Sequence, residues 1–371
     1  MEQGFERRRL GVAVVGAGRI GTHRARLSAM HPAVDYLAVA DIDGGRAEAL
    51  ASRVGAQRHS GSSSEVIQDP RVNAVFISSS EPTHAAPAIE ALEAGKAVFI
   101  EKPIATTRED ADAIIAAAEA NDGLLRIGYS VRFRRNVFLG KQYIENGKLG
   151  RIVGGVARVF NSRAQAFAIL ERAPHVSPVV DVLTYYIDVV GWFMGENHPV
   201  DVYAAGSGSV LRSKTGSDGP DDITNAVVRY DDGSVMSFTI CYSLPAEFPT
   251  MGQGPRIEII GTDGVLLIDE DQRQNIIYSD HGVGHAYVQG HTMKMGYLSS
   301  TTSGDWALDQ MFGPIADETR AWLDHLATGT PMHLSTAEDA RRSLEVTLAI
   351  EESARTGQVI AIDKVTPYSL R

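Results

Sequence analysis

The hydrophobic pattern of the first third of the chain alternates between short apolar runs and amphipathic segments. Helices are predicted between the apolar runs, including segments at 45–54, 83–95 and 109–122. Strand–helix alternation at this spacing predicts a parallel, doubly wound sheet. Apolar runs of this length are typical of strands buried in such a sheet, and they are LGVAVVG (10–16), VDYLAVAD (34–41), NAVFISS (73–79), KAVFIEK (96–102) and LLRIGY (124–129).

The pattern changes from about residue 150, where strand-like segments are separated mainly by turn sequences such as YDDGS and GTDG. This arrangement predicts a large, mostly antiparallel open sheet. A hydrophobic helix is predicted over 179–190, and two more at roughly 305–328 and 335–356.

The length of 371 residues exceeds what one hydrophobic core usually organises. We therefore predict an α/β protein with two domains. An N-terminal Rossmann dinucleotide-binding domain covers 10–128, and a C-terminal α+β domain for substrate binding and oligomerisation covers 129–371. The terminal helices are candidates to pack back on the Rossmann domain.

A glycine motif follows the first predicted strand. In GAGRIG, Gly16 permits a tight turn, Gly18 lets the backbone approach a pyrophosphate, and Gly21 allows close helix–strand packing. Asp41 ends the next strand 20 residues after Gly21, where an acid accepts hydrogen bonds from the adenosine ribose and repels a 2′-phosphate. NAD is favoured over NADP, although Arg46 nearby could help to hold a phosphate. Arg19 and Ile20, inside the motif, complete this group of cofactor-binding candidates.

Several motifs together resemble the glucose-fructose oxidoreductase / inositol dehydrogenase / MocA family. They are GAGRIG, AVFISSSEPTH (74–84), AGKAVFIEKP (94–103), IENGKLGRI (144–152) and IEESARTGQVI (350–360). The resemblance implies a nicotinamide cofactor, substrates with hydroxyl groups on sugars, cyclitols or related rings, and a catalytic lysine at Lys102. Independently of the family, Lys102 ends a buried strand on the ligand side of a parallel sheet, and Pro103 restricts its backbone to extended conformations.

A polar stripe lies on the hydrophobic helix predicted at 179–190. Asp181, Tyr185 and Asp188 are spaced i, i+4 and i+7, which places them on one helix face. The family resemblance implies an Asp-x-x-x-His or Asp-x-x-x-Tyr motif facing the nicotinamide, and Asp181 and Tyr185 match the tyrosine form of its glucose-fructose oxidoreductase and dihydrodiol dehydrogenase branches. Tyr186 projects about 100° away and ranks below Tyr185.

Oxidation of a secondary alcohol needs an acceptor for the hydride and a base for the proton. A free tyrosine has a pKa near 10, and an adjacent ammonium such as that of Lys102 lowers it and stabilises alkoxide charge. Asp181 is expected to orient Lys102 or to bond a second substrate hydroxyl, and Asp188 to hold the helix against a neighbouring element. The alternative for this helix is a buried tyrosine hydroxyl with a structural partner.

The remaining candidates border these groups. A structural role competes with cofactor contact for His84, and a solvated surface competes with substrate binding for each arginine. The cofactor candidates are Ser79, Ser80, Glu81, His84, Glu101 and Lys102. The substrate candidates are Arg132, Asn161, Arg163, His175, Asp181 and Tyr185.

Composition excludes several classes of protein. A formal charge of −11 argues against general nucleic-acid binding, and a single cysteine, Cys241, fits a reducing compartment. No signal peptide or membrane-spanning run is recognisable, so a cytoplasmic protein is expected. His281, His285 and His291 match no zinc spacing, and no metal is predicted. The exposed face of an antiparallel sheet often needs cover, which predicts a homodimer or homotetramer.

The predicted function is NAD-dependent hydride transfer between the nicotinamide and a ring secondary hydroxyl of a sugar, glycoside or cyclitol, with Lys102 and Tyr185 handling the proton and the oxygen. One alternative is an NADP-dependent keto-sugar reductase or a dihydrodiol dehydrogenase. A more distant one is a non-catalytic regulator that senses NAD or a sugar on the same fold.

Overall fold

A computed structural model describes residues 8–171, 176–216, 219–248, 254–269, 276–284, 288, 290–297, 304–307 and 309–363. Within these, only the backbone is described for 276–284, 295–297 and 305–306. The described chain divides into two compact units. The first contains the residues up to Arg132 together with Pro314–Leu344, and the second contains those of Phe133–Gly313 together with the residues from Glu345 onward.

The strands of the structure are β1 (Leu10–Val15), β2 (Val34–Ala40), β3 (Arg58–Ser60), β4 (Ala74–Ile77), β5 (Ala97–Glu101), β6 (Leu125–Gly128), β7 (Ile152–Ser162), β8 (Pro199–Ser207), β9 (Ile223–Tyr230), β10 (Val235–Leu244), β11 (Gly254–Gly261), β12 (Val265–Asp269), β13 (Ile276–Gly284), β14 (Thr292–Tyr297), β15 (Asp305–Ala307), β16 (Gln310–Phe312) and β17 (Ile360–Ala361).

The α-helices are α1 (Arg19–Met30), α2 (Gly44–Val54), α3 (Ser63–Ile67), α4 (Ala85–Glu93), α5 (Arg108–Ala120), α6 (Arg135–Glu145), α7 (Arg163–Leu170), α8 (Thr184–Met194), α9 (Arg212–Thr215), α10 (Pro314–Thr328) and α11 (Ala337–Thr356). Two 3₁₀ turns, Glu81–Thr83 and Ser130–Phe133, and a π-helical turn, Val179–Leu183, complete the helical elements described here.

The first unit is built on a six-stranded sheet in the order β3-β2-β1-β4-β5-β6. All of its neighbouring strands run parallel. The residues of β1 and β4 are buried along their whole length, which explains their continuous apolar sequences. The chain turns outward in opposite directions from β1 and β4, so a topological switch point lies between these two strands. The predicted doubly wound Rossmann sheet is confirmed.

One predicted helix begins later than its amphipathic pattern indicated. Residues 305–312 were included in the helix expected at 305–328, but β15 and β16 pair there as a short antiparallel hairpin. Gly313 has a φ of 94°, outside the helical region, and Pro314 then occupies the first helical position of α10, which suits proline. The helix α10 belongs to the first unit, where the fully buried Trp322 packs 5.9 Å from the ring of Phe99.

The second unit is built on a seven-stranded sheet in the order β12-β11-β7-β10-β9-β8-β17. Its pairs are antiparallel except for β7 with β10, which run parallel, so the predicted mostly antiparallel sheet is confirmed. Side chains alternate across the sheet: Val228 and Phe238 are buried, whereas Val227 and Tyr203 are 42% and 49% exposed. The helix α8 lies against β7, and α7 lies against β7 and β10.

Candidate active site

The carboxyl ends of four neighbouring strands carry the predicted cofactor residues. In the sheet order β2-β1-β4-β5, Asp41 follows β2, Gly16 follows β1, Ser79 lies two residues beyond β4, and Lys102 follows β5. Ligands in open α/β sheets bind at this edge, next to the switch point. The fold therefore brings together residues that are up to 86 positions apart in the chain, from Gly16 to Lys102.

The three glycines of GAGRIG meet different surroundings. A Cβ on Gly16 would lie 2.5 Å from the backbone of Ser78, and one on Gly21 would lie 1.8 Å from the carbonyl oxygen of Gly16, so neither position has room for a side chain. Gly16 also has a φ of 100°, which favours glycine. A Cβ on Gly18 would meet nothing within 4 Å. The loop thus leaves open space at the glycine where a pyrophosphate approaches in this motif.

The start of α1 is electropositive. The helix begins at the exposed Arg19, directly after Gly18, and its first turn carries no acidic residue. Burial and the neighbouring charges of Arg19, Arg24 and Arg26 lower the pKa of His23 to about 4. The N-terminus of α1 and the exposed Arg19 beside it suit an anionic ligand at the loop.

Asp41 is held beside the same loop by main-chain donors. Its carboxylate accepts hydrogen bonds from the amide nitrogens of Ala17 at 2.7 Å and Asp43 at 2.9 Å. The exposed Arg46 makes an ion pair with Asp43 at 3.3 Å. A fixed negative charge therefore stands at the position that selects between NAD and NADP.

The segment after β4 forms the 3₁₀ turn that contains Glu81. The hydroxyl of Thr83 donates a hydrogen bond to the carbonyl oxygen of Ser80 at 2.8 Å and lies 3.0 Å from Ser79 Oγ, which closes the turn. His84 is buried, and its ring nitrogens lie 3.0 Å and 3.2 Å from the carbonyl oxygens of Pro103 and Ser79. Burial lowers the pKa of His84. These contacts give His84 a structural role, and a contact of His84 with the cofactor stays a prediction.

Lys102 and Glu101 have different surroundings at the end of β5. Lys102 is partly exposed at the carboxyl edge, and its peptide bond to Pro103 is cis. Glu101 turns its Oε1 atom to Arg24, whose Nε donates to it at 2.7 Å. The structure thus gives Glu101 a protein partner, and direct contact of Glu101 with a cofactor stays a prediction.

In the second unit, Asp181 and Tyr185 both lie partly exposed, whereas Tyr186 is completely buried and its hydroxyl accepts a hydrogen bond from Arg134 at 3.2 Å. The ranking of Tyr185 above Tyr186 for the acid–base role stays a prediction. Asp188 is 1% exposed and does not share the partly exposed face of the other two. Asp181 lies within the π-helical turn Val179–Leu183, whose wider winding changes the 100° spacing assumed for an α-helix.

Sequence reasoning missed Tyr242, which lies near the end of β10. Its buried hydroxyl donates a hydrogen bond to Asp181 Oδ2 at 2.5 Å and has a second hydrogen bond with the side chain of Asn161, which is also buried. Burial, followed by the charge of Asp181 and the hydrogen bond to it, raises the pKa of Tyr242 well above its ordinary value. A signal was present: Tyr242 continues the alternating buried positions of Phe238 and Ile240 and is the polar member of that series.

The other substrate candidates have protein partners or lie outside the described residues. Arg132 is 2% exposed and donates to Asp339 at 3.0 Å, so it is neither solvated nor at the surface. Arg163 donates to the carbonyl oxygens of Ser243 at 2.8 Å and Leu244 at 3.3 Å. Their roles in substrate binding stay predictions. His175 lies outside the described residues.

The histidine-rich segment is described only in part. His285 lies outside the described residues, and only the backbone of His281 is described. The ring of His291 lies 3.2 Å from the carbonyl oxygen of Ala246. Within the described part of the chain, no group of three potential ligands is arranged to hold a metal ion. None of the helices described here combines the length and the apolar composition that crossing a bilayer requires.

Two models of a known protein family match most of the chain. Residues 10–129 match the model described as "Oxidoreductase family, NAD-binding Rossmann fold", and residues 141–362 match its companion, "Oxidoreductase family, C-terminal alpha/beta domain". The chain belongs to the glucose-fructose oxidoreductase / inositol dehydrogenase / MocA family. The family resemblance inferred from GAGRIG and EKP is confirmed.

Individual relatives in this family match over most of their length. A myo-inositol 2-dehydrogenase from Thermotoga maritima is 25% identical over 369 residues, covering 95% of this chain and 99% of that protein. A scyllo-inositol 2-dehydrogenase (NAD(+)) from Bacillus subtilis is 26% identical over 71% of this chain and 75% of that protein. The crystal structure of scyllo-inositol dehydrogenase from Lactobacillus casei with bound NAD(H) and scyllo-inositol has a TM-score of 0.78 at 20% identity, covering 95% of this chain and 99% of that one, and shows that the fold is shared.

The raised pKa of Tyr242 predicts how the variant Tyr242→Phe responds to alkali. Below pH 10 the tyrosine is protonated in both the folded and the unfolded chain; above pH 10 it ionises first in the unfolded chain, which favours unfolding. Phenylalanine lacks this proton. For each pH unit above 10, the free energy of unfolding of the parent should therefore fall by up to about 1.4 kcal/mol more than that of the variant. Urea unfolding at pH 9 to 11.5 measures this difference, and parallel curves would contradict it.

Proposed function

We propose that this protein is an NAD-dependent dehydrogenase that oxidises a secondary hydroxyl on the ring of a cyclitol or a sugar. The observation that carries the proposal is the position of Lys102 on the carboxyl edge of the sheet that also carries the glycine motif and Asp41. Relatives named as inositol dehydrogenases support the substrate class.

The residues of the first unit fit a dinucleotide. The open space at Gly18 and the positive start of α1 suit the pyrophosphate, and the carboxylate of Asp41 suits the adenosine ribose hydroxyls. The fixed charge of Asp41 and the engagement of Arg46 with Asp43 favour NAD over NADP. When bound, the nicotinamide supplies the acceptor for the hydride.

Lys102 is assigned to the reacting oxygen. Its ammonium stabilises negative charge that develops on this oxygen when the hydroxyl proton leaves.

Asp181 and Tyr185 are assigned to substrate hydroxyls and the proton. Tyr242 keeps its proton because of its burial and its bond to Asp181, so it is a donor that positions the carboxylate and not a base. Asp181 is then oriented to accept a hydrogen bond from a ring hydroxyl. Tyr185, which is partly exposed, is the acid–base candidate.

Replacement of Lys102 by alanine should abolish turnover and leave NAD binding largely intact, because the amine acts on the reacting oxygen. Initial rates of NAD and NADP reduction with inositols, free sugars, glycosides and a dihydrodiol measure turnover and identify the substrate, while calorimetry measures NAD affinity. Lys96→Ala is the matched control, since Lys96 precedes the opposite end of β5 and bonds the carbonyl oxygen of Val72. An unchanged kcat in Lys102→Ala would eliminate the mechanism, and NAD binding without any turnover of the parent would indicate a sensor.

The variant Tyr185→Phe should lower kcat by about 10²- to 10⁴-fold, the usual contribution of general acid–base catalysis. The removed hydroxyl leaves the ring in place, so NAD affinity should not change. Steady-state rates with the best substrate provide the measurement. Tyr203→Phe serves as the control because Tyr203 is 49% exposed on the outer face of the sheet. Full activity of Tyr185→Phe would move the acid–base role to Tyr186 or His175.

We also propose self-association through the exposed face of the seven-stranded sheet. This face carries apolar side chains on several adjacent strands, and clusters of this kind mark interaction surfaces. The exposed apolar residues on these strands include Val156, Tyr203, Val227, Val235, Ile260, Val265 and Leu267. An isologous contact of this face with its copy gives a dimer, and a further contact gives a tetramer.

Val227→Asp should shift the protein towards the 40.0 kDa monomer, because it places a charge on this face, in the interior strand β9. Sedimentation velocity over a range of concentrations measures the mass. Val359→Asp is the control, since Val359 is 62% exposed and lies outside the sheet. A parent that is already monomeric, or a Val227→Asp variant with the mass of the parent, would refute self-association through this face.

A further inference from the structure

The end of β5 is fixed on both sides of Lys102. Glu101 is held through its side chain by Arg24 at 2.7 Å, and the carbonyl oxygen of Pro103 lies 3.0 Å from the buried ring of His84. Lys102 is thus the partly exposed residue between two anchored neighbours. These contacts restrain the backbone on both sides of Lys102.

Arg24 is completely buried and uses its guanidinium in several directions. Nη2 donates to Glu318 at 2.5 Å, and Nη1 donates to Thr319 Oγ1 at 2.6 Å and to the carbonyl oxygen of Ile315 at 3.3 Å. Its Cζ atom lies 4.5 Å from the centroid of the Phe99 ring. Burial alone would lower the pKa of Arg24, but its carboxylate partners outweigh this effect and raise the pKa above its ordinary value. The side chain is therefore a permanent cation that ties β5 to α10.

The neighbouring strand leaves room for the side chain of Glu101. A Cβ at Gly128 of β6 would lie 3.0 Å from Glu101 Oε2 and 2.9 Å from the ring of Phe99. Lys102 directly follows Glu101, the last residue of β5. Anchoring one of them fixes the backbone from which the other projects.

We propose that Arg24 is a positioning residue for the reaction: it holds Glu101 against α10 and so fixes the orientation of Lys102. The inference rests on the proposed role of Lys102. The fork-shaped guanidinium is required, because Nε donates to Glu101 while Nη2 donates to Glu318, whereas lysine presents all of its donors from a single nitrogen.

The test compares variants of Arg24 and Glu101 in the full chain, assayed well below the lowest melting temperature. Glu101→Ala removes the anchor and should lower kcat by about tenfold to a hundredfold, the effect expected when a catalytic group is misplaced by about 1 Å. Its KM for NAD should stay within about twofold of the parent value. Glu101→Gln keeps an acceptor oxygen for Arg24 and should retain most of the activity.

Arg24→Lys should lower kcat to a similar extent. Because both changes act through one contact, the double variant Arg24→Lys/Glu101→Ala should show little further loss of kcat. Thr319→Val is the control for a merely structural role: it removes a hydrogen bond of Arg24 to α10 and leaves Glu101 in place. It should lower the melting temperature while kcat stays within about twofold of the parent.

Several results would overturn the inference: a normal kcat in Glu101→Ala, additive losses of kcat in the double variant, or losses of kcat that follow the melting temperature in every variant, Thr319→Val included. An increased KM for NAD at unchanged kcat would assign Glu101 to cofactor binding instead. If Arg24→Lys does not fold, the kcat values of Glu101→Ala and Glu101→Gln test the inference, and equal values would overturn it. An active Lys102→Ala variant would refute the proposed function itself. An inactive Lys102→Ala variant together with a fully active Glu101→Ala variant would refute only this inference.

Discussion

The position of α1 depends on one steric constraint, the close passage of two glycine backbones. The Cα of Gly21 lies so near the carbonyl oxygen of Gly16 that any side chain on Gly21 would overlap it. The helix therefore starts immediately beyond the end of β1, with its N-terminus at the carboxyl edge of the sheet. Arg24 lies three residues further along, on the same helix face, and this places its guanidinium within reach of Glu101 and α10. The contact between Gly16 and Gly21 thus positions both the glycine loop and the buried ion pairs of Arg24.

Both units bury polar side chains that have partners, charged groups in the first unit and neutral groups in the second. A buried charge is tolerated only when it is paired, and removing one partner of a buried pair typically costs about 3–5 kcal/mol. In the first unit Arg24 meets this requirement with two carboxylates. In the second unit the buried side chains of Tyr242 and Asn161 form a hydrogen bond with each other, and the hydroxyl of Tyr242 donates a hydrogen bond to Asp181. In the second unit the partly exposed Asp181 accepts a hydrogen bond from a hydroxyl that is itself buried.

The parts of the fold that followed from the sequence are those with strong local periodicity. The strands β1 and β4 are covered on both faces, so their apolar runs are continuous and unambiguous. The helix expected at 305–328 was wrong in its first part, because an amphipathic pattern continues through Gly313 and Pro314 although the backbone does not. The short elements β3 and α3 were not predicted, since three to five residues carry too little periodicity. The π-helical turn around Asp181 also left no trace in the spacing of apolar residues.

The sequence by itself determined the parallel sheet, the glycine turn, the acid at the end of β2 and the lysine at the end of β5. Each of these features depends on a residue and its immediate chain neighbours. Because the strands are parallel, the residues at their carboxyl ends then lie along one edge of the sheet. Only the tertiary structure decided the partners: Arg132 is buried against Asp339, 207 positions away, and Tyr242 reaches Asp181 across 61 positions. Local periodicity encodes whether a side chain is buried, but the group that it meets there depends on how distant strands and helices are arranged in space.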